Sequence, residues 1–141
     1  MIAGSPDGAE MLLQLAESEP LLAARVARLL GVELVTRAHR EAADHIERGE
    51  QHFRRREFVE AAGCYRQAVE ADPDNATAFL MLGDAYYALR LKALARAHYQ
   101  ESLAVEETPM AWRFLGDTYR AEEGGTERAR DCYRRALALE P

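Results

Sequence analysis

The stretch "MAWRFLGDTY" (Met110–Tyr119) has the apolar spacing of a helix but carries Gly116 at its centre, where glycine costs about 1 kcal/mol relative to alanine. Packing that only a residue without a side chain permits has to offset that cost. Upstream the chain reads "TAFLMLGDAYY" (Thr77–Tyr87) and, earlier still, "DHIERGEQHF" (Asp44–Phe53). Gly83 precedes Gly116 by 33 residues, Gly49 precedes Gly83 by 34, and each glycine is followed by an acid. A period of this length marks a repeat architecture.

Composition agrees with helices. Of 141 residues 48 % are hydrophobic, enough for a core, and only 5 are proline; Ala, Leu, Glu and Arg dominate, and no alternating stretch of useful length reads as strand. The net charge of −6 argues against a nucleic-acid partner, whose phosphates are bound by an excess of Lys and Arg. Of the 18 Lys and Arg residues only Lys92 is lysine, which with the alanine content points to a GC-rich bacterial genome. Cys64 and Cys132 lie in no CxxC or zinc spacing and read as small buried thiols in a reducing compartment. The N-terminus has no basic region before an apolar one, and the most apolar stretch, Leu21 to Leu30, is interrupted by Arg25 and Arg28, so neither a signal peptide nor a membrane span is expected.

Each glycine is followed by a second pattern: Ala61, Tyr65, Ala68 and Pro73; Ala95, Tyr99 and Ser102; Ala129, Tyr133, Ala136 and Pro141. With these residues the sequence resembles the tetratricopeptide repeat family over Ala42 to Pro141. The resemblance implies an all-α fold, a right-handed α-solenoid of three helix pairs (42–75, 76–108, 109–141) preceded by an N-terminal helical segment (1–41) that caps or dimerises. The expected helices are Ala42–Arg55 with Phe58–Ala71, Ala76–Leu89 with Lys92–Glu106, and Pro109–Glu122 with Thr126–Leu139. Gly49, Gly83 and Gly116 are expected to face Ala61, Ala95 and Ala129 so that paired backbones approach closely. Tyr86, Tyr99, Tyr119, Tyr133, Phe79 and Trp112 are expected to fill the space between helices.

Departures from the family pattern are local. Arg48 replaces a leucine in the first repeat, Glu107 replaces the proline closing the second, and "EEGGT" lengthens the inner turn of the third, where Gly124 or Gly125 can end the helix in a left-handed conformation. Upstream, "SPDGAEMLLQLAES" and "EPLLAARVARLLG" read as two short helices, with Asp7 as a cap, Pro20 in a first turn and Gly31 as a stop. Met1 to Pro6 are expected to be loose.

No catalytic or cofactor constellation emerges. Ser5, Ser18 and Ser102 sit in no nucleophile elbow. His39, His45, His52 and His98 lack the i, i+4 pairing of a metal-binding helix, and no GxGxxG or P-loop occurs. Neither an enzyme, a metal nor a cofactor is expected. Arg54, Arg55 and Arg56 read as cations complementing a helix C-terminus.

What remains is surface. In the family the first helices of successive repeats line a concave groove, and the positions that touch a peptide fall here on Ala43, Ile46, Glu50 and Phe53; Thr77, Leu80, Asp84 and Tyr87; Met110, Arg113, Asp117 and Arg120, with Met81 and Phe114 beside them. Glu50, Asp84 and Asp117 form an acidic row that is either solvated or used in binding. Where family members grip a chaperone's C-terminal carboxylate with Lys, Asn and Arg, this sequence has Ile46, Glu50, Met81, Met110 and Phe114, so that clamp is not expected.

The resulting expectation is a cytoplasmic protein-interaction module whose groove takes a peptide or protein segment with apolar and basic residues. Two alternatives stand beside it: a secretion-type chaperone, because an N-terminal helical segment before three repeats is similar in layout to type III secretion translocator chaperones, and a regulatory subunit or domain of an enzyme. Uncovered apolar surface is expected at Leu21–Leu30 and at Tyr133, Ala136, Leu137 and Leu139. Either a longer protein covers it or the chain self-associates, most simply as a two-fold homodimer.

Overall fold

The computed structural model describes residues 8–31 and 37–140. The chain divides into two compact units, Met1–Arg40 and Glu41–Pro141. In the first, α1 (Gly8–Ser18) is followed by α2 (Pro20–Leu30). Pro20 occupies the first turn of α2, where its missing N–H is not needed. Gly31 closes α2 with φ 66°, its N–H turned to the carbonyls of Ala27 and Arg28, a conformation that favours glycine. The buried residues of these two helices are all alanines, whereas Leu21 and Leu29 are 85 % and 87 % exposed. Asp7 and Met1 to Pro6 lie outside the described residues, as does Pro141.

The second unit is an α-solenoid of three antiparallel helix pairs: α3 (Arg37–Arg54) with α4 (Phe58–Ala71), α5 (Ala76–Ala88) with α6 (Lys92–Val105), and α7 (Pro109–Arg120) with α8 (Thr126–Leu139). α3 begins at Arg37 rather than Ala42, because nothing between Arg37 and Glu41 breaks a helix. Two starts are fixed by side chains: Asn75 accepts from the Ala78 N–H at 3.1 Å and Thr108 from the Ala111 N–H at 3.2 Å, each cap being worth about 1 kcal/mol.

The turns inside the pairs share one device. Arg56, Arg90 and Gly124 occupy equivalent positions and all adopt the left-handed conformation, with φ of 63°, 66° and 77°. In the first two turns the next N–H then reaches back to close the helix, Glu57 to the His52 carbonyl and Leu91 to the Tyr86 carbonyl, both at 2.9 Å, as a Schellman motif does. Arg56 therefore lies beyond α3, as a turn residue and not as part of a cationic helix end.

The core is built from small and aromatic residues together. Ala61, Ala95 and Ala111 are fully buried, Tyr65 and Tyr99 nearly so, and Leu82 and Leu115 lie among them. Cys132 is buried, but Cys64 is only half-buried, contrary to the expected pair of buried thiols; both are free. Adjacent pairs are tied by polar bonds too. Arg96 of α6 donates to the hydroxyl and carbonyl of Thr118 at 3.2 and 3.1 Å and to Glu122 at 2.6 Å, its guanidinium 4.0 Å from the centre of the Tyr119 ring. At the end of the array Leu137 is 68 % exposed while Ala136, expected to be partly uncovered, is buried.

Candidate functional site

The repeated glycines make the groove possible, though through a different partner from the expected alanine. Ala61, Ala95 and Ala129 are buried, but the surface of each glycine is covered by a tyrosine ring from the paired helix. A Cβ on Gly83 would sit 2.6 Å from the Tyr99 ring, one on Gly116 2.7 Å from Tyr133, and one on Gly49 closer still to Tyr65. Glycine is thus required for the tyrosine ring to approach the helix backbone this closely, and that packing offsets its propensity cost.

The tyrosine hydroxyls then meet the acids that follow the glycines. Tyr99 donates to Asp84 at 2.6 Å and Tyr133 to Asp117 at 2.5 Å. Two members of the acidic row thus orient tyrosines of the paired helices, while Glu50 makes no such bond among the described residues. Burial holds the Asp84 carboxyl up at about 6, with the Tyr99 hydrogen bond working in the opposite direction. Burial, reinforced by the charge of Glu50, pushes the Tyr65 phenol to about 12; burial and the Asp117 bond do the same for Tyr133.

Between the first two pairs Glu50, Phe53, Arg54, Tyr65, Met81 and Asp84 line a cavity of about 170 Å³. Four of these were expected from the sequence. Tyr65 was recognised only as a repeat residue and Arg54 only as a helix-end cation, yet both border the space, because the ring over Gly49 reaches the groove and the last turn of α3 overhangs it. Phe53 is held edge-on against Phe58, ring centroids 5.0 Å apart.

The remaining expected residues are dispersed. Leu80 packs in the core and keeps only 7 % of its surface exposed, because helix α5 is packed against neighbours on both sides. Ile46 is half-buried against the core, Tyr87 and Met110 are exposed. Phe114 packs on Tyr99 with centroids 5.9 Å apart, and the Arg113 guanidinium lies 5.9 Å from the Phe114 ring centre. Arg120 borders a different cavity, of about 380 Å³, with Tyr133 and Leu137. Among the described residues no three His, Cys, Asp or Glu side chains are gathered to hold a metal ion, and no helix is long and apolar enough to cross a membrane.

Residues 46–109 match the family model described as tetratricopeptide repeat. The second unit has the fold of tetratricopeptide repeat arrays. Its fold is similar to the first tetratricopeptide domain of Spaghetti (RPAP3) bound to an HSP90 peptide SRMEEVD, at TM-score 0.69 and 28 % identity over 72 % of this chain and 81 % of that one. MamA is similar at TM-score 0.67 and 19 % identity, covering 96 % of this chain and 80 % of that one. In sequence, superkiller complex protein 3 of Mus musculus is 29 % identical over 114 residues, 77 % of this chain but 7 % of that protein. The chain thus spans less than a tenth of this curated relative.

Proposed function

We propose that the array is a protein-interaction module whose concave groove takes a peptide or protein segment carrying apolar and basic side chains. The observation that carries this reading is the 170 Å³ cavity in which Phe53 and Met81 offer apolar surface beside the carboxylates of Glu50 and Asp84. Apolar anchors supply affinity in such a site and complementary charge supplies orientation and on-rate. The Spaghetti domains hold the acidic peptide SRMEEVD; Glu50 and Asp84 would oppose an acidic segment here, and the Lys, Asn and Arg of the carboxylate clamp are replaced by Ile46, Glu50, Met81, Met110 and Phe114.

The test is fluorescence anisotropy with a labelled peptide Ser-Lys-Leu-Phe-Lys-Ser and its Gln-for-Lys counterpart. The Lys peptide should bind more tightly, weaken with salt, and lose affinity at least about fivefold on Glu50→Lys with helicity intact. Asp84 is a poor site for this test because it also anchors Tyr99. Equal binding of both peptides, or no effect of Glu50→Lys, would remove the concave groove as the site.

A further inference from the structure

On the opposite flank of the array a groove of about 400 Å³ runs between α6 and α8, with residues of α7 as its floor. The internal repeat supplies its own reference. Shifted back by one repeat, the place of Cys132 is held by His98, that of Trp112 by Phe79 and that of Tyr119 by Tyr86. There the imidazole fills the space, stacked on Phe79 and Tyr86 with centroids 6.4 and 5.3 Å away and planes within 20° of parallel. In the last repeat the smaller Cys132 stands at that position and borders the groove.

Charge changes with it. Leu94 and Glu101 of the filled copy become Arg128 and Arg135. Other basic residues of α8 are paired, Arg130 with Glu127 at 3.1 Å and Arg134 with Asp131 at 3.8 Å. Arg128 and Arg135 face no carboxylate within ion-pair distance among the described residues and lie instead on the aromatic walls, 5.7 Å from the centre of Tyr119 and 4.8 Å from that of Trp112. Two unneutralised guanidiniums thus flank an apolar floor in a chain of net charge −6. They are seven residues apart on one helix, about 10 Å along its axis, close to the length of one three-residue turn of extended polyproline II chain, which returns residues i and i+3 to the same face.

We propose that this groove is a second docking site, for an extended acidic segment with two carboxylates three residues apart around an apolar side chain. The apolar group would take the volume that His98 occupies in the preceding copy, and the carboxylates would pair with Arg128 and Arg135. Arginine suits this role because its planar fork binds carboxylate while its face stays on an aromatic ring. A peptide fits better than a nucleic acid, since Asp131 also borders the groove and would oppose a continuous line of phosphates.

Trp112 is the one tryptophan of the chain, so its emission reads this groove alone. Titrating the 141-residue chain with Ser-Glu-Leu-Phe-Glu-Ser should change that emission saturably, with affinity falling as salt is raised. The paired change Arg128→Glu and Arg135→Glu should weaken binding at least about tenfold with helicity kept. Cys132→His, which rebuilds the filled copy, should abolish binding as read by anisotropy of the labelled peptide. Glu50→Lys, in the concave groove, should leave it unchanged, which separates the two sites. The proposal falls if emission is unmoved up to about 1 mM peptide, an affinity of only about −4 kcal/mol. It falls equally if the Lys peptide acts as well, if binding survives both groove variants, or if an oligothymidylate binds more tightly.

Discussion

The Tyr99 hydroxyl donates to the Asp84 carboxylate at 2.6 Å while its ring covers Gly83, the residue immediately before that aspartate. One side chain thus binds the backbone of α5 by contact and an adjacent side chain by hydrogen bond. Ring and acid hold each other, so neither can yield to a change at the glycine.

Gly83→Ala should therefore destabilise the array. Alanine gains about 1 kcal/mol in helix propensity, but its Cβ would stand 2.6 Å from a ring that is 2 % exposed. Overpacking of this kind costs about 1–3 kcal/mol, and the tied ring cannot retreat. Gly63, which nothing approaches within 4 Å, is the control: Gly63→Ala should stabilise by up to about 1 kcal/mol. Urea denaturation of both variants decides the matter, and equal stabilisation by the two would show that the ring moves freely.

The same contact predicts a dependence on pH. Asp84 has its folded pKa raised by burial from 3.8 to about 6, so between these values the folded state binds more protons than the unfolded one. Its contribution to stability is then fully present below about pH 4 and is lost as pH rises through about 6. Asp84→Asn removes the titration while leaving an oxygen to accept from Tyr99. The advantage of the variant over wild type should be small at pH 4 and grow to at most about 3 kcal/mol at pH 7. Denaturation midpoints across that range measure it, and a constant difference would mean that Asp84 ionises as it does in the unfolded chain.

Arg96 should prove a joint between the second and third pairs. Arg96→Ala loses the bonds to Thr118 and Glu122 and the stacking on Tyr119, and leaves the fully buried Thr118 hydroxyl with one partner fewer. Hydrogen bonds involving a charged group contribute about 1.5–3 kcal/mol, so a loss of about 2–4 kcal/mol is expected. Arg96→Lys should recover less than half, because an ammonium cannot serve three acceptors and a ring together. Hydrogen exchange checks the location: amides of α7 and α8 should lose protection before those of α4 and α5.

Sequence reasoning reached the helices and the repeat register because both rest on short-range periodicity. α4 and α8 begin and end where the pattern places them, and Glu50, Phe53, Met81 and Asp84 do share a cavity. It missed the tyrosine that covers each glycine because an alanine is the obvious complement to a glycine, whereas a tyrosine ring four residues further on reaches back over the same backbone. The burial of Leu80 was not legible because α5 is buried on most of its circumference, so position within the helix did not distinguish core from groove. Asp84 looked like a surface acid because a hydrogen bond to the next helix leaves no mark in local sequence. The groove at Cys132 was invisible for a related reason: it is a missing imidazole, legible only beside the stacked His98 of the preceding repeat.

Arg90 yields the last prediction, which concerns the turns. Its φ of 66° puts an L-residue with a Cβ in the left-handed region, at a cost of about 1–2 kcal/mol. The third repeat has Gly124 at the equivalent place with φ 77°, where that cost vanishes. Arg90→Gly should remove the strain in the folded state, while the greater freedom of glycine in the unfolded chain subtracts about 0.4–1 kcal/mol. Relief of strain outweighs that loss, so the variant should be more stable by about 0.5–1 kcal/mol. Arg90→Ala, which keeps a Cβ at the same φ, should gain nothing, and that contrast isolates backbone conformation from loss of the guanidinium. Thermal melts of the two variants side by side are sufficient; a gain shared equally by both would assign the effect to charge.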